Sequence, residues 1–242
     1  MELKLSIRNL HASYGGVRAL QGVSMDLRGG ETVALLGTNG NGKSTLINCV
    51  LNIVPATEGE IILDMDGQQH DLTRMATEDI VNLGIGVVPE GRRLFPWLTV
   101  EENLLLGAYR HEARRHAAES LESVYEVFPV LRERRRQLAG SMSGGQQQMV
   151  AIARAIMLKP RLLLVDEPSV GLSPLLVQQT INKLIELKET FNLSVLMAEQ
   201  NFEQTSRLAD RGYIIVHGKI AFEGSLQALR ENDLVKNLYL GL

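Results

Sequence analysis

The segment at residues 37–45 constrains the fold more than any other part of this 242-residue sequence. It reads Gly-Thr-Asn-Gly-Asn-Gly-Lys-Ser-Thr and matches the pattern G-x-x-x-x-G-K-[ST]. The apolar run at residues 33–36 has the composition of a buried parallel strand, and a helix is predicted from residue 43 to about residue 52. A glycine-rich loop between such a strand and a helix is the arrangement that surrounds phosphate groups in α/β proteins.

The residue types in this loop suit the phosphates of a nucleotide. Gly40 and Gly42 let the backbone approach phosphate oxygens closely, and the following helix offers unpaired N–H groups and the positive end of its dipole. Lys43 adds a full charge for the terminal phosphates, and Ser44 can bind Mg²⁺. The predicted nucleotide-binding residues of the loop are Gly37, Thr38, Asn39, Gly40, Asn41, Gly42, Lys43, Ser44 and Thr45.

Two carboxylates follow a second apolar run. Residues 162–165 predict a buried strand, and Asp166 and Glu167 come directly after it. Ligands of open α/β sheets bind at the carboxyl ends of strands, where Asp166 would hold Mg²⁺ directly or through water. Glu167 could orient and deprotonate an attacking water. An Asp-Glu pair after a strand is also common as a surface turn, but together with the phosphate loop it predicts a nucleotide hydrolase.

The rest of the chain alternates between strand and helix patterns. Apolar residues recur at helical spacing from about residue 98 to residue 159, which predicts a helical insert. The other predicted elements are strands and turns at 3–36, a hairpin around Asp66-Gly67, strands at 85–88, 162–165 and 194–198, helices at about 174–190 and 201–209, and a hairpin at 213–216 and 220–222. This alternation predicts an α/β fold with a largely parallel sheet covered by helices.

Composition and charge exclude some classes of protein. The net charge of −3 gives no electrostatic reason to expect a nucleic-acid partner. The single cysteine, Cys49, cannot form an intrachain disulfide and lies in an apolar stretch typical of buried positions. The basic run at residues 132–136 is short and contains Glu133, which favours a solvated helix end over a binding patch. No apolar run approaches the ~18 residues that cross a bilayer, so other chains would span any membrane involved.

A third motif links these features to a known family. Ser143, Gly144, Gly145 and Gln146 precede a predicted long helix, where Ser143 suits an N-cap and the glycines suit an anion at a helix start. With the phosphate loop and the acidic pair, this segment resembles the signature motif of ABC ATPases, and the resemblance covers nearly the whole chain. It implies a P-loop NTPase fold in one domain, 1–242. Residues 1–88 and 160–242 would form a mainly parallel core with an antiparallel β part, and about 91–159 a helical subdomain.

The resemblance also implies a site shared by two subunits. In ABC ATPases the signature of one subunit faces the γ-phosphate held by the other, so each ATP is sandwiched in a dimer. Tyr14, in Ser-Tyr-Gly-Gly, matches the aromatic residue that stacks on adenine. Gly171-Leu172-Ser173 matches the loop that contacts the second subunit, although the family often has Asp at the position of Ser173.

Two positions depart from the usual family pattern. Glu90 stands where the family usually has a Gln that senses the γ-phosphate and Mg²⁺; it can bind Mg²⁺ but adds negative charge. Gln200 stands where the family usually has a His that donates to the γ-phosphate; it can donate but cannot become a cation. We therefore expect Glu90 as a metal ligand and Gln200, with Glu167, as a catalytic residue.

The same departures point to one branch of the family. The chain resembles the shorter ATPase subunit of high-affinity branched-chain amino acid importers in three segments, residues 88–95, 98–104 and 199–201. Urea and amide importers are closely related to this branch. The resemblance implies ATP and Mg²⁺ as ligands and a place on the cytoplasmic face of the inner membrane. The implied partners are a sister ATPase (or a second copy of this chain), two transmembrane permeases and, indirectly, a periplasmic binding protein.

Three alternatives remain at this level. The chain could be an ABC ATPase without a membrane partner, although such proteins usually carry two cassettes or a long coiled-coil insert. It could bind nucleotide without hydrolysing it, or it could be another P-loop enzyme, although no guanine-reading Asn-Lys-x-Asp occurs.

A permease-binding groove is expected just beyond Glu90, where the chain carries Arg92, Arg93, Phe95 and Trp97. The two aromatic residues fit either contact with a partner or internal packing.

Overall fold

The computed structural model describes residues 2–236 and places them in two compact units, residues 2–83 with 194–236 and residues 84–193. The strands in chain order are β1 (Leu3–Tyr14), β2 (Val17–Arg28), β3 (Thr32–Leu36), β4 (Glu58–Met65), β5 (Gln68–Asp71), β6 (Ile85–Val88), β7 (Leu162–Asp166), β8 (Ser194–Glu199), β9 (Arg211–Val216) and β10 (Lys219–Ser225). The helices are α1 (Lys43–Val50), α2 (Thr77–Asn82), α3 (Val100–Leu106), α4 (His111–Arg115), α5 (Ala117–Val127), α6 (Pro129–Glu133), α7 (Gly144–Ile156), α8 (Pro174–Phe191), α9 (Phe202–Thr205), α10 (Leu226–Glu231) and α11 (Asp233–Val235).

The first unit contains an antiparallel sheet in the order β2-β1-β4-β5. Buried and half-buried residues alternate along β4 from Glu60 onwards, as expected when one face of a sheet is more deeply covered than the other. β4 and β5 are joined by Asp66 and Gly67, whose φ angles of 55° and 82° are the positive pair that a tight hairpin turn of this kind requires. The predicted hairpin is therefore confirmed.

The first unit also contains parallel strands that position the phosphate loop. β3 lies between β8 and β9 and is parallel to both, while β10 runs antiparallel to β9. All five residues of β3 are buried, and Leu36 packs in a cluster with Phe202, Ile214 and Leu229. Because Leu36 is in register with Glu199, the ends of β3 and β8 bring the chain segments that follow them close together.

One predicted helix of the first unit is wrong in its extent. The sequence predicts a helix over residues 201–209, but α9 ends at Thr205. Beyond it, Asp210 is fixed to β3, because its backbone N–H donates to the Thr32 carbonyl at 2.8 Å and its carboxylate accepts from the Thr32 N–H at 2.7 Å. The helix ends early because the chain must reach this pairing before it enters β9.

The second unit consists of the parallel pair β6 and β7 with helices α3 to α8. The predicted helical insert is confirmed, as five helices lie between residues 100 and 156. α3 begins with a capping box in which the Thr99 hydroxyl accepts from the Glu102 N–H and the Glu102 carboxylate accepts from the Thr99 N–H. The Thr99 N–H and hydroxyl both donate to the Glu102 carboxylate, and this holds the pKa of Glu102 below its usual value. The cap fixes where the loop after β6 enters the helices.

The structure bears on two further predictions, for Cys49 and for the basic run, through the burial of these residues. Cys49 is buried, and this burial raises the pKa of its thiol to about 12, as expected for an unreactive side chain. The basic run begins in the last turn of α6 and is exposed, with Arg132 paired to Glu122, so it is a solvated helix end. Across residues 2–236, no helix has the length and apolar character needed to cross a bilayer.

Candidate functional site

The phosphate loop joins β3 to α1 in the first unit. α1 begins at Lys43, and Gly42 before it has a φ of 98°. A Cβ at Gly42 would lie 2.7 Å from the Ala19 carbonyl oxygen, and a Cβ at Gly37 would lie 2.7 Å from the Ile215 carbonyl oxygen. Both glycines are therefore required because neighbouring backbone leaves no room for a side chain. The packing fixes the loop at the start of α1, where backbone N–H groups can receive an anion.

Side chains within the loop support its shape. Lys43 is only 3% exposed, and its ammonium donates to the Thr38 carbonyl at 3.1 Å, so it lies folded over the loop. The Asn41 amide donates to the Thr38 hydroxyl at 2.7 Å, and its oxygen accepts from the His217 N–H at 2.7 Å. Asn41 therefore ties the loop to the turn between β9 and β10, while Lys43 holds positive charge against the loop.

The segment after β8 contacts the same loop. The Gln200 amide donates to the Asn39 side-chain oxygen at 2.6 Å. Glu199 is buried, and its carboxylate accepts from the backbone N–H groups of Gln200 at 2.9 Å and Asn201 at 3.4 Å. The structure thus brings the predicted residue Gln200 to the phosphate loop, and Glu199 fixes the turn that carries it.

Tyr14 lies on the hairpin of β1 and β2. Its side chain is 52% exposed at the end of β1, and Val17 at the start of β2 is 71% exposed. Ala19, in the same strand as Val17, has its carbonyl oxygen against Gly42 of the phosphate loop. The hairpin that carries Tyr14 therefore packs on the loop, and the exposed ring is suited to stacking on a base.

The acidic pair of the second unit lies at the carboxyl end of β7, as predicted. Asp166 is the last residue of the strand, and both Asp166 and Glu167 are only 7% exposed. Glu167 has a φ of 44°, in the left-handed region that residues with a Cβ rarely adopt. Such a conformation persists only where the surrounding structure imposes it, and it is frequent at functional sites. The strand end therefore holds Glu167 in a fixed position.

The predicted signature segment caps α7 in the second unit. The Ser143 hydroxyl accepts from the Gln146 N–H at 3.4 Å, and the Gln146 side chain accepts from the Ser143 N–H at 3.1 Å. A Cβ at Gly145 would lie 2.6 Å from the Leu176 side chain. The start of this 13-residue helix therefore combines two glycines with the positive end of the helix dipole, which suits an anion facing its N-terminus.

A groove of about 280 Å³ opens in the second unit beside Glu90, which is itself exposed. Its walls come from β6, the loop after it, and helices α3 and α7; the lining residues include Pro89, Arg93, Phe95, Leu106, Tyr109 and Arg154. Phe95 and Trp97 are 53% and 84% exposed, so their interpretation as internal packing is wrong. The buried Asn103 holds their loop, because its side chain accepts from the Phe95 N–H at 2.9 Å and donates to the Phe95 carbonyl at 3.0 Å.

Comparison with known proteins assigns the family. Residues 20–170 match the ABC transporter family, which is more than half of the chain. The chain belongs to the ABC transporter ATP-binding family.

Three curated relatives of this ABC ATPase are similar over almost its whole length. It is 42% identical to the high-affinity branched-chain amino acid transport ATP-binding protein BraG of Pseudomonas aeruginosa, covering 98% of this chain and 99% of BraG. It is 30% identical to the probable branched-chain amino acid transport ATP-binding protein LivF of Archaeoglobus fulgidus, covering 96% and 97%. It is 33% identical to the lipopolysaccharide export system ATP-binding protein LptB of Escherichia coli, covering 98% and 97%.

Solved ABC cassettes have the same fold. A nucleotide-free ATP-binding cassette from an ABC transporter superposes with a TM-score of 0.83 at 27% identity, over the full length of both chains. A dimeric bacterial ABC transporter cassette superposes with a TM-score of 0.76 at 27% identity, covering 92% of this chain and 98% of that one. The ABC ATPase fold inferred from the sequence is therefore confirmed, and the protein is an ATP-binding, ATP-hydrolysing subunit.

Several residues of this ABC ATPase site are not evident from the motifs. Glu199 positions Gln200, Asn103 holds the loop of Phe95, and Arg154 donates to the carbonyls of Arg92 and Arg93. Glu199 and Asn103 are polar and buried, and Arg154 is largely withdrawn from solvent, which lowers the pKa of its guanidinium. The available signal in the sequence is a polar residue inside an otherwise apolar segment, such as Arg154 within residues 150–156.

Proposed function

We propose that this ABC ATPase powers an importer of branched-chain amino acids. The supporting observation is its similarity to BraG, which extends over nearly the whole of both chains. LptB is a weaker match at 33% identity, which gives lipopolysaccharide export less support. Importers of urea or amides would use the same chemistry in this subunit, because the ATPase site does not depend on the transported solute.

Residues 37–45 are proposed to bind the triphosphate and Tyr14 to stack on adenine. Ser44, Asp166 and Glu90 are the proposed Mg²⁺ ligands. These residues fit that ion, because Mg²⁺ in nucleotide sites takes one or two carboxylates and completes its shell with phosphate oxygens and water. No group of three or more His, Cys, Asp or Glu side chains in residues 2–236 could hold a metal alone. Bound Mg²⁺ would neutralise charge on the β- and γ-phosphates.

Glu167 is the proposed general base of hydrolysis. Its carboxylate would accept a proton from the attacking water, and its fixed left-handed backbone supports a defined direction of attack. The Gln200 amide would donate to the γ-phosphate, and Lys43 would balance the charge that develops there. Gln200 cannot become a cation, so its contribution is a hydrogen bond alone.

The active form is proposed to be a dimer with a sister ATPase or a second copy of this chain. Ser143, Gly144, Gly145 and Gln146 would face the γ-phosphate held by the partner subunit. The start of α7 supports this role, because two glycines and the positive end of the helix dipole lie at its N-terminus. The dimeric cassette with the same fold lends further support.

The groove beside Glu90 is proposed to receive a short helix from a transmembrane permease. Leu105, Leu106 and Tyr109 are exposed on the same unit, in addition to Phe95 and Trp97. An apolar cluster rimmed by arginines is the composition expected of a protein contact, and the net charge of −3 does not suggest nucleic acid. The protein would then act at the cytoplasmic face of the inner membrane, with a periplasmic binding protein supplying solute.

Both units are proposed to act as one domain, with core residues 1–88 and 160–242 and a helical subdomain at about 91–159.

The test uses Glu167→Gln in the assembled transporter. We expect ATP binding to persist, hydrolysis to be lost and the dimer to become stable enough for size-exclusion chromatography. A variant that hydrolyses ATP at the parent rate would remove Glu167 as the base. In a strain lacking the subunit, the parent gene should restore uptake of labelled leucine and Glu167→Gln should not; restored uptake of urea alone would place the protein in the related branch.

A further inference from the structure

Arg92 and Arg93 adopt an unusual backbone conformation at the edge of the groove. Gly91, Arg92 and Arg93 have φ angles of 73°, 66° and 46°, so three consecutive residues are left-handed. The Arg93 N–H donates to the Gly91 carbonyl at 2.7 Å, which closes a tight turn. Residues with a Cβ adopt this conformation only when surrounding contacts impose it. The turn at residues 91–93 is therefore held from outside.

The contacts that hold this turn come from α7. Arg154 donates to the Arg93 carbonyl at 2.9 Å and to the Arg92 carbonyl at 3.0 Å. Its guanidinium therefore satisfies both strained peptides with one planar fork. Arg154 and Arg93 also line the groove, so any helix seated there would touch the group that fixes the turn.

The two arginines of the turn point to different places. Arg93 lines the groove, but the Arg92 guanidinium lies at the start of α7. It donates to the Gln147 side-chain oxygen at 3.2 Å, and it lies 3.2 Å from the position that a Cβ would occupy at Gly144. The same guanidinium lies 3.9 Å from the corresponding position at Gly171, in the loop after the acidic pair.

We propose that Arg92 is a positioning residue that transmits groove occupancy to the signature segment at the start of α7. The turn at residues 91–93 is bound to α7 twice, through Arg154 near the end of the helix and through Arg92 at its beginning. A partner helix that moves the turn must then move the Arg92 guanidinium relative to Gly144 and Gln147. The glycine at position 144 gives the guanidinium room to reach this place. The proposal rests on the proposed function of the groove.

The first experiment uses the isolated subunit and tests whether the Arg92 side chain stabilises the start of α7. Arg92→Ala should raise amide hydrogen exchange at residues 144–150 about tenfold, because a charged hydrogen bond to α7 is lost. Gln147→Ala should have a similar effect, and the double variant should exceed neither single variant by much. Arg115→Ala, at an exposed position on α4, is the control and should leave exchange at residues 144–150 unchanged. Unchanged exchange in Arg92→Ala would overturn the link, whatever solute is transported.

The second experiment examines transmission in the assembled transporter in proteoliposomes. We expect Arg92→Ala to lower ATPase stimulation by leucine-loaded binding protein about tenfold more than it lowers basal hydrolysis. Arg92→Lys should recover only part of the stimulation, because an ammonium cannot both donate to Gln147 and fill the space beside Gly144 as the planar guanidinium does. An equal loss of both rates, or full recovery with Lys, would overturn the positioning role. Absence of leucine stimulation in the parent would refute the proposed solute, and the exchange experiment would still decide the link.

Discussion

Gln200 occupies the position where most relatives are expected to carry His, and its contact with the phosphate loop leads to a quantitative prediction. The Gln200 amide donates to Asn39 at 2.6 Å, although the two residues are 161 positions apart in sequence. If Gln200 donates to the γ-phosphate, the side chain of Asn39 acts only by holding Gln200 in place, while the Asn39 backbone remains part of the phosphate loop. Removing the Asn39 side chain should then lower kcat only while Gln200 is present.

The geometry sets the size of the effect. A neutral hydrogen bond contributes about 0.5–1.5 kcal/mol, and the lower half of that range applies because Asn39 is exposed. Asn39→Ala should therefore lower kcat by about twofold to fivefold. Loss of a donor to developing charge lowers kcat by about 100-fold or more, which is the expectation for Gln200→Ala. The double variant should be no slower than Gln200→Ala.

The assay is a double-mutant cycle on steady-state ATPase rates of the assembled transporter, with ATP affinity measured separately. Gln69→Ala, at an exposed position of β5, is the matched control and should leave kcat unchanged. Multiplicative losses in the double variant would mean that the two side chains act independently. That result would refute the argument that Asn39 works through Gln200.

The remaining predictions concern stability and accessibility. Gly42→Ala should lower the free energy of unfolding by about 2–4 kcal/mol, because it adds a clash with the Ala19 carbonyl to the strain of a positive φ. Gly40→Ala has the same strain but meets open space, so it should lower the free energy of unfolding by only about 1–2 kcal/mol. Denaturant unfolding measures both values. Equal losses would contradict the packing argument. Trp97→Ala should leave the free energy of unfolding within about 0.5 kcal/mol while lowering coupling of hydrolysis to transport, since the side chain is 84% exposed. Cys49 should resist a thiol reagent at pH 8 until the protein unfolds, because its folded pKa of about 12 keeps it protonated. The pKa of the thiol in the unfolded chain is ~8.5, so the free energy of unfolding should fall as pH rises from that value toward 12, which unfolding measured at several pH values would show.

The sequence determined the features that depend on neighbours along the chain. The spacing of glycines and Lys43 defines the phosphate loop, and an apolar run defines the strand before it. Local sequence also places Asp166 and Glu167 after the apolar run of β7, and it identifies Ser143 as the cap of α7. These features are local, because strand and helix periodicity and capping depend on residues within a few positions of each other.

Tertiary structure decided the features that depend on residues far apart in sequence. It placed Gln200 on Asn39, turned Arg92 toward Gly144 while Arg93 lines the groove, and left Trp97 exposed. It also ended α9 early, because Asp210 had to pair with β3. The sequence specifies which side chain is at each position, but not where that side chain points. The direction of that side chain depends on the partners that the folded chain brings to it, and backbone strain at residues such as Glu167 and Arg92 exists only where those partners outweigh the local preference.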